Sequence, residues 1–140
     1  MIGKTIDQMQ VGDSAQFSKT VSETDIYLFA GISGDFNPAH VNEQYAGQTF
    51  FKKRIAHGLL SASFLSAVLA NQLPGPGTIF ISIALKFLAP VFIGDTVTAR
   101  VEVAEVDKQK KRVSMHLSCT NQEGKPLLTG EAVVSPPKAS

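Results

Sequence analysis

Apolar and polar positions alternate with a period of two through the second half of the chain. In residues 96–106, Val97, Ala99, Val101 and Val103 take every other place, and residues 112–120 repeat the rhythm with Val113, Met115, Leu117 and Cys119. Such a period gives each segment one apolar and one polar face, which predicts half-buried antiparallel strands. The charged run 107–111 supplies the hairpin between them, residues 121–125 supply the next turn, and 127–134 form a last strand before Pro136 and Pro137. Residues 78–87 read as an earlier strand, set apart from the pair by the turn at Gly94 and Asp95.

The first half follows a different rhythm. After the turn signal Gly12-Asp13-Ser14, residues 15–21 predict one short strand with Phe17 and Val21 on one side. Ser22 stands three places before Asp25, the spacing of a capping box, and Ile26, Phe29 and Ala30 follow at helical intervals, so a helix is expected over 23–32. Pro38 pushes Asn37 toward extended backbone, so residues 35–40 read as a polar loop, after which Asn42 caps a brief helix ending at Gly47. Residues 58–73 form the strongest helix, apolar or small on nearly every side. Leu65, Val68, Leu69 and Leu73 make a bulky stripe, and Gly58, Ala62, Ser66 and Ala70 a thin one. A helix without a polar face is expected to be buried all round. One domain over residues 1–140 follows, of α+β class, with an antiparallel sheet wrapped around a central apolar helix.

Composition narrows the classes further. Of the 140 residues, 44% are hydrophobic and 18% charged, the latter below the roughly 25% of an average soluble domain, which leaves ample material for a core and excludes disorder. Thirteen Lys and Arg against twelve Asp and Glu leave a net charge of +1, and no long basic run marks a nucleic-acid surface. Ser61, Ser63, Ser66, Asn71 and Gln72 interrupt the apolar helix, which also falls short of the roughly 20 residues a membrane span requires. The first residues lack the apolar core of a secretory signal, and Cys119 has no disulfide partner in the chain, so a cytoplasmic protein is expected.

Candidate chemistry gathers in two places. Asp35 and His40 flank the rigid Asn37-Pro38 pair, and such a carboxylate and imidazole could divide acid and base roles around one water. Asp, Asn and Pro also build turns for backbone reasons alone, and spacing by itself does not separate the two readings. At His57-Gly58 the apolar helix begins, where free N–H groups and the helix dipole could receive a carbonyl oxygen, with the thin stripe leaving room for an apolar chain; small residues could equally serve close packing. His40, His57 and His116 show no metal-ligand spacing, so no metal is expected. His116 falls on the polar face of its strand, Cys119 on the apolar face as a structural thiol, and Lys52, Lys53 and Arg54 form a solvated basic loop.

The run FAGISGDFNPAH at residues 29–40, with Ala46 six places after the histidine, resembles the signature of the MaoC-like (R)-specific enoyl-CoA hydratases, also called hydratase 2. IAHG at 55–58, LPGPG at 73–77, FLAPVFIGD at 87–95 and TGEAV at 129–133 extend the resemblance over nearly the whole chain. It implies a hot-dog fold, a homodimer with a continuous sheet, and an acyl-CoA thioester as substrate, with coenzyme A part of the substrate and no separate cofactor. It further implies that Asp35 and His40 hold the catalytic water, that the Gly58 N–H holds the thioester oxygen, and that Ser66 lies close to the substrate. The activity implied is reversible hydration of trans-2-enoyl-CoA to (R)-3-hydroxyacyl-CoA. A hot-dog thioesterase and a non-catalytic acyl-CoA-binding module are the alternatives.

Overall fold

The computed structural model describes residues 2–139. Strand β1 (Ser14–Thr20) leads to helices α1 (Glu23–Ser33), α2 (Pro38–Val41), α3 (Glu43–Gly47) and α4 (Gly58–Asn71), and then to strands β2 (Ile79–Phe87), β3 (Thr96–Asp107), β4 (Arg112–Thr120) and β5 (Pro126–Ser135). The five strands form one sheet in the order β1-β3-β4-β5-β2, every neighbouring pair antiparallel. Helix α4 packs across its concave side against β1, β3 and β4.

The alternating positions do what their period predicts. Val97, Ala99, Val101 and Val103 of β3 and Val113, Met115, Leu117 and Cys119 of β4 are all buried, facing Leu65, Val68 and Leu69 of α4. Each large apolar side chain so removed from water contributes about 1.5–3 kcal/mol. The capping box of α1 also forms: Ser22 Oγ accepts the Asp25 N–H at 3.1 Å, and Asp25 Oδ2 accepts the Ser22 N–H at 2.9 Å. Gly34 ends α1 in the left-handed region, φ 82°, and turns the chain toward residues 35–40.

Two expectations are corrected. Residues 35–40 are not loop throughout, because α2 begins at Pro38: Asn37 stays extended, as the proline requires, and thereby serves as the N-cap, its Oδ1 accepting the Ala39 N–H at 3.0 Å. Proline suits this first helical position because its missing N–H would have had no acceptor there. Helix α4 is not buried all round either. Gly58, Leu59, Ser63 and Ala70 are exposed, since the sheet covers only the bulky side and leaves the thin stripe largely open. Strand β2, set apart from the β3–β4 pair in sequence, lies at the edge of the sheet beside β5. There it has one neighbour, and Ile79, Phe80, Ile81 and Ile83 remain exposed on both of its faces. Among the described residues, no helix is long and apolar enough to cross a membrane.

Candidate active site

Short-range bonds shape the segment that follows α1. Ser33 Oγ accepts the Asp35 N–H at 3.1 Å, and Asp35 Oδ1 accepts the Asn37 N–H at 3.1 Å, an Asx turn that aims the carboxylate. One carboxylate oxygen is thus engaged with backbone, while Oδ2 faces His40 Nε2 at 4.0 Å. On the far side of the imidazole, Nδ1 lies 2.7 Å from the Ile55 carbonyl oxygen. A carbonyl only accepts, so Nδ1 donates to it, and the Nε2 edge of the ring is directed toward the carboxylate. At 4.0 Å the two atoms are too far apart for a direct hydrogen bond, and close enough for one solvent molecule to bond to both.

The N-terminus of α4 is fastened to this pair. His57, 2% exposed, caps the helix, and its Nε2–H donates to the Asp35 carbonyl oxygen at 2.9 Å. Its ring stacks on that of His40, with centroids 3.9 Å apart and planes at 29°, and packs against Phe29 at 4.9 Å. Gly58 opens the helix, so its N–H has no intrahelical acceptor and sits at the positive end of the dipole. A Cβ there would meet the Phe87 ring at 2.6 Å, so any other residue would have to displace that ring. Beside it opens a cavity of about 490 Å³, lined mainly by apolar groups that include Leu59, Phe87, Leu88 and Leu128. Through His57, Asp35 and His40 are held beside the start of α4; of the predicted site residues only Gly58 lines the cavity itself, while Asp35 and His40 lie outside its lining and Ser66 sits two turns further along α4, also outside it.

The family described as MaoC like domain matches residues 7–124. The chain belongs to the MaoC-like family. An (R)-specific enoyl-CoA hydratase of Rhodospirillum rubrum is 56% identical over 131 residues, covering 94% of this chain and 90% of the relative. R-hydratase PhaJ1 from Pseudomonas aeruginosa, in its unliganded form, superposes with a TM-score of 0.92 at 42% identity, over 98% of this chain and 88% of that one. The (R)-hydratase from Aeromonas caviae involved in PHA biosynthesis gives a TM-score of 0.89 at 41% identity, over 92% and 98%. The sheet curled around α4 in this MaoC-like chain is thus the hot-dog fold that its motifs imply.

Asp35, His40 and His57 could each offer a ligand atom within 4.8 Å of the others, yet the geometry suits a metal poorly. His40 Nδ1 and His57 Nε2 are committed to carbonyl oxygens, and nearly parallel stacked rings aim their in-plane lone pairs side by side rather than at one point. Cys119 is a structural thiol as expected: burial pushes its pKa up to about 12, which leaves no thiolate at neutral pH. His116 is exposed on the outer side of β4.

Arg54 overturns the expectation of a solvated basic loop. Lys52 and Lys53 are exposed, but Arg54 is 8% exposed and reaches back to α1, donating to Glu23 Oε1 at 2.7 Å and to the Tyr27 hydroxyl at 3.0 Å. The hydrogen bond from Arg54 holds Glu23 below the ordinary carboxylate range, and the same bond raises Arg54. This clamp ties the chain before α4 to the helix that carries Asp35 at its end. Glu23 and Tyr27 have helical i, i+4 spacing, but no local signal connects them to a residue 31 places from Glu23. Nor does any local signal give the contacts of the His57 ring, since the sequence shows only its position at the start of the apolar helix.

Proposed function

We propose that the protein catalyses the reversible, (R)-specific hydration of trans-2-enoyl-CoA, with Asp35 and His40 as the acid–base pair. The observation that carries the reading is the 4.0 Å gap between Asp35 Oδ2 and His40 Nε2, fastened through His57 to the helix start that presents the Gly58 N–H. A water bridging that gap gives its proton to the pair as its oxygen attacks C3, and negative charge moves through C2 to the thioester oxygen. Gly58 N–H and the dipole of α4 stabilise this charge more than they stabilise the neutral substrate, which is what lowers the barrier. The pair then returns a proton to C2 on the same face, so both new bonds form on one side. Because the two groups share one proton inventory, base and acid roles belong to them as a unit.

The apolar cavity beside Gly58 supports a substrate with hydrocarbon and pantetheine portions, and coenzyme A enters as part of that substrate. A second copy of the chain is proposed to pair along β2, whose single neighbour leaves backbone groups and isoleucines uncovered. Ser66, on the open thin stripe of α4, would border substrate where that copy closes over the helix.

Crotonyl-CoA tests the function. Loss of the enoyl-thioester absorbance without thiol release, followed by chiral analysis giving only (R)-3-hydroxybutyryl-CoA, is the expected result. Stoichiometric release of thiol would replace hydration with hydrolysis, and binding without turnover would replace it with a carrier role.

A further inference from the structure

One buried ring touches every part of the proposed site without reaching the reacting atoms. Through its own peptide bond, His57 delivers the Gly58 amide. Through Nε2–H it holds the Asp35 carbonyl oxygen at 2.9 Å, and through its face it supports the His40 ring at 3.9 Å. We propose that His57 is a positioning residue, the part that sets the acid–base pair in register with the Gly58 N–H. The inference rests on the hydratase reading, in which His57 is only a link between the pair and α4, and gives that link a role of its own in turnover.

The remaining nitrogen strengthens the argument. His57 Nδ1 is buried and has no hydrogen-bond partner, a feature that costs free energy wherever it occurs. A phenylalanine would fill the space between Phe29 and His40 with no such cost. An imidazole therefore brings something the ring alone does not, and the one polar contact it makes is the bond to Asp35. That bond also fixes the tautomer: the proton sits on Nε2, and a second proton on Nδ1 would find no acceptor. Without the bond, the Asp35 carbonyl loses its buried donor and the turn bearing the carboxylate loses its tie to α4. Displacements of about 1 Å in a reacting group are enough to lower turnover by roughly 100-fold.

Two substitutions separate the bond from the bulk. In His57→Phe the stack survives and the donor is lost, whereas in His57→Gln an amide N–H has nearly the same reach as Nε2–H. With crotonyl-CoA, we expect His57→Phe to lower kcat by about 10- to 100-fold with KM changed less than about threefold, and His57→Gln to recover most of the loss. Circular dichroism and Tm for both variants report whether the fold is retained. Unchanged kcat in His57→Phe overturns the inference, and so does an equal loss in both variants, since the donated bond would then not be what matters. An inactive parent protein would instead count against the hydratase reading itself, so the two failures are distinguishable.

Discussion

The interior of the curled sheet and the cleft at the start of α4 are built on opposite terms. Between β3, β4 and α4, contact is apolar: Val97, Val101, Val113, Met115 and Leu65 are fully buried and need only shape and volume. At the cleft the parts are polar and are held by directed bonds of 2.7–3.1 Å from Asp35, Asn37, His40 and His57, nearly all with a backbone group as the partner. Stability resides in the first region and chemistry in the second. The two meet through Phe29 and the first turn of α4, so substitutions away from that seam should separate them.

The largest effect is expected in the interior. Leu65→Ala leaves a cavity at a fully buried position and should destabilise the fold by about 2–5 kcal/mol in urea titration, while kcat of the folded fraction stays within about threefold of the parent. At the cleft, Asp35→Asn and His40→Ala should each lower kcat by about 10²-fold or more, with Tm within a few degrees of the parent. Loss of folding in the second pair, or of turnover in the first, would dissolve the distinction.

Cys119 sharpens it with a pH dependence. The folded thiol keeps its proton up to about 12, whereas the unfolded chain releases it near the ordinary value of 9.0. The folded state therefore binds more protons between these values, and stability must fall as pH rises through that window, by up to about 1.4 kcal/mol per unit. Urea titrations at pH 8 and 10 should show this decline in the parent and a smaller one in Cys119→Val. The smallest effect belongs to His116→Ala, outside both regions: stability within about 0.5 kcal/mol and unchanged kcat.

Legibility follows the same division. The strands of the interior could be read because alternation declares which side faces inward, and the α1 cap could be read because Ser22 and Asp25 lie within one turn. Asp35, His40 and Gly58 were legible as chemistry through the motifs they occupy. What tied them together was not. The bonds from His57 to Asp35 and from Arg54 to Glu23 join residues 22 and 31 places apart, and no periodicity reports such a pairing. The open side of α4 escaped for another reason: its residues are small and apolar whether covered by a sheet or left for a partner, so composition could not tell how far the sheet extends.

That one water is handled from one side by Asp35 and His40 is tested most directly by hydrating crotonyl-CoA in D₂O and locating the new label. The account predicts deuterium at C2 on the same face as the hydroxyl at C3. Deuterium on the opposite face would mean that the two bonds are made from different sides of the substrate, and a single pair beside Gly58 could not be the catalyst.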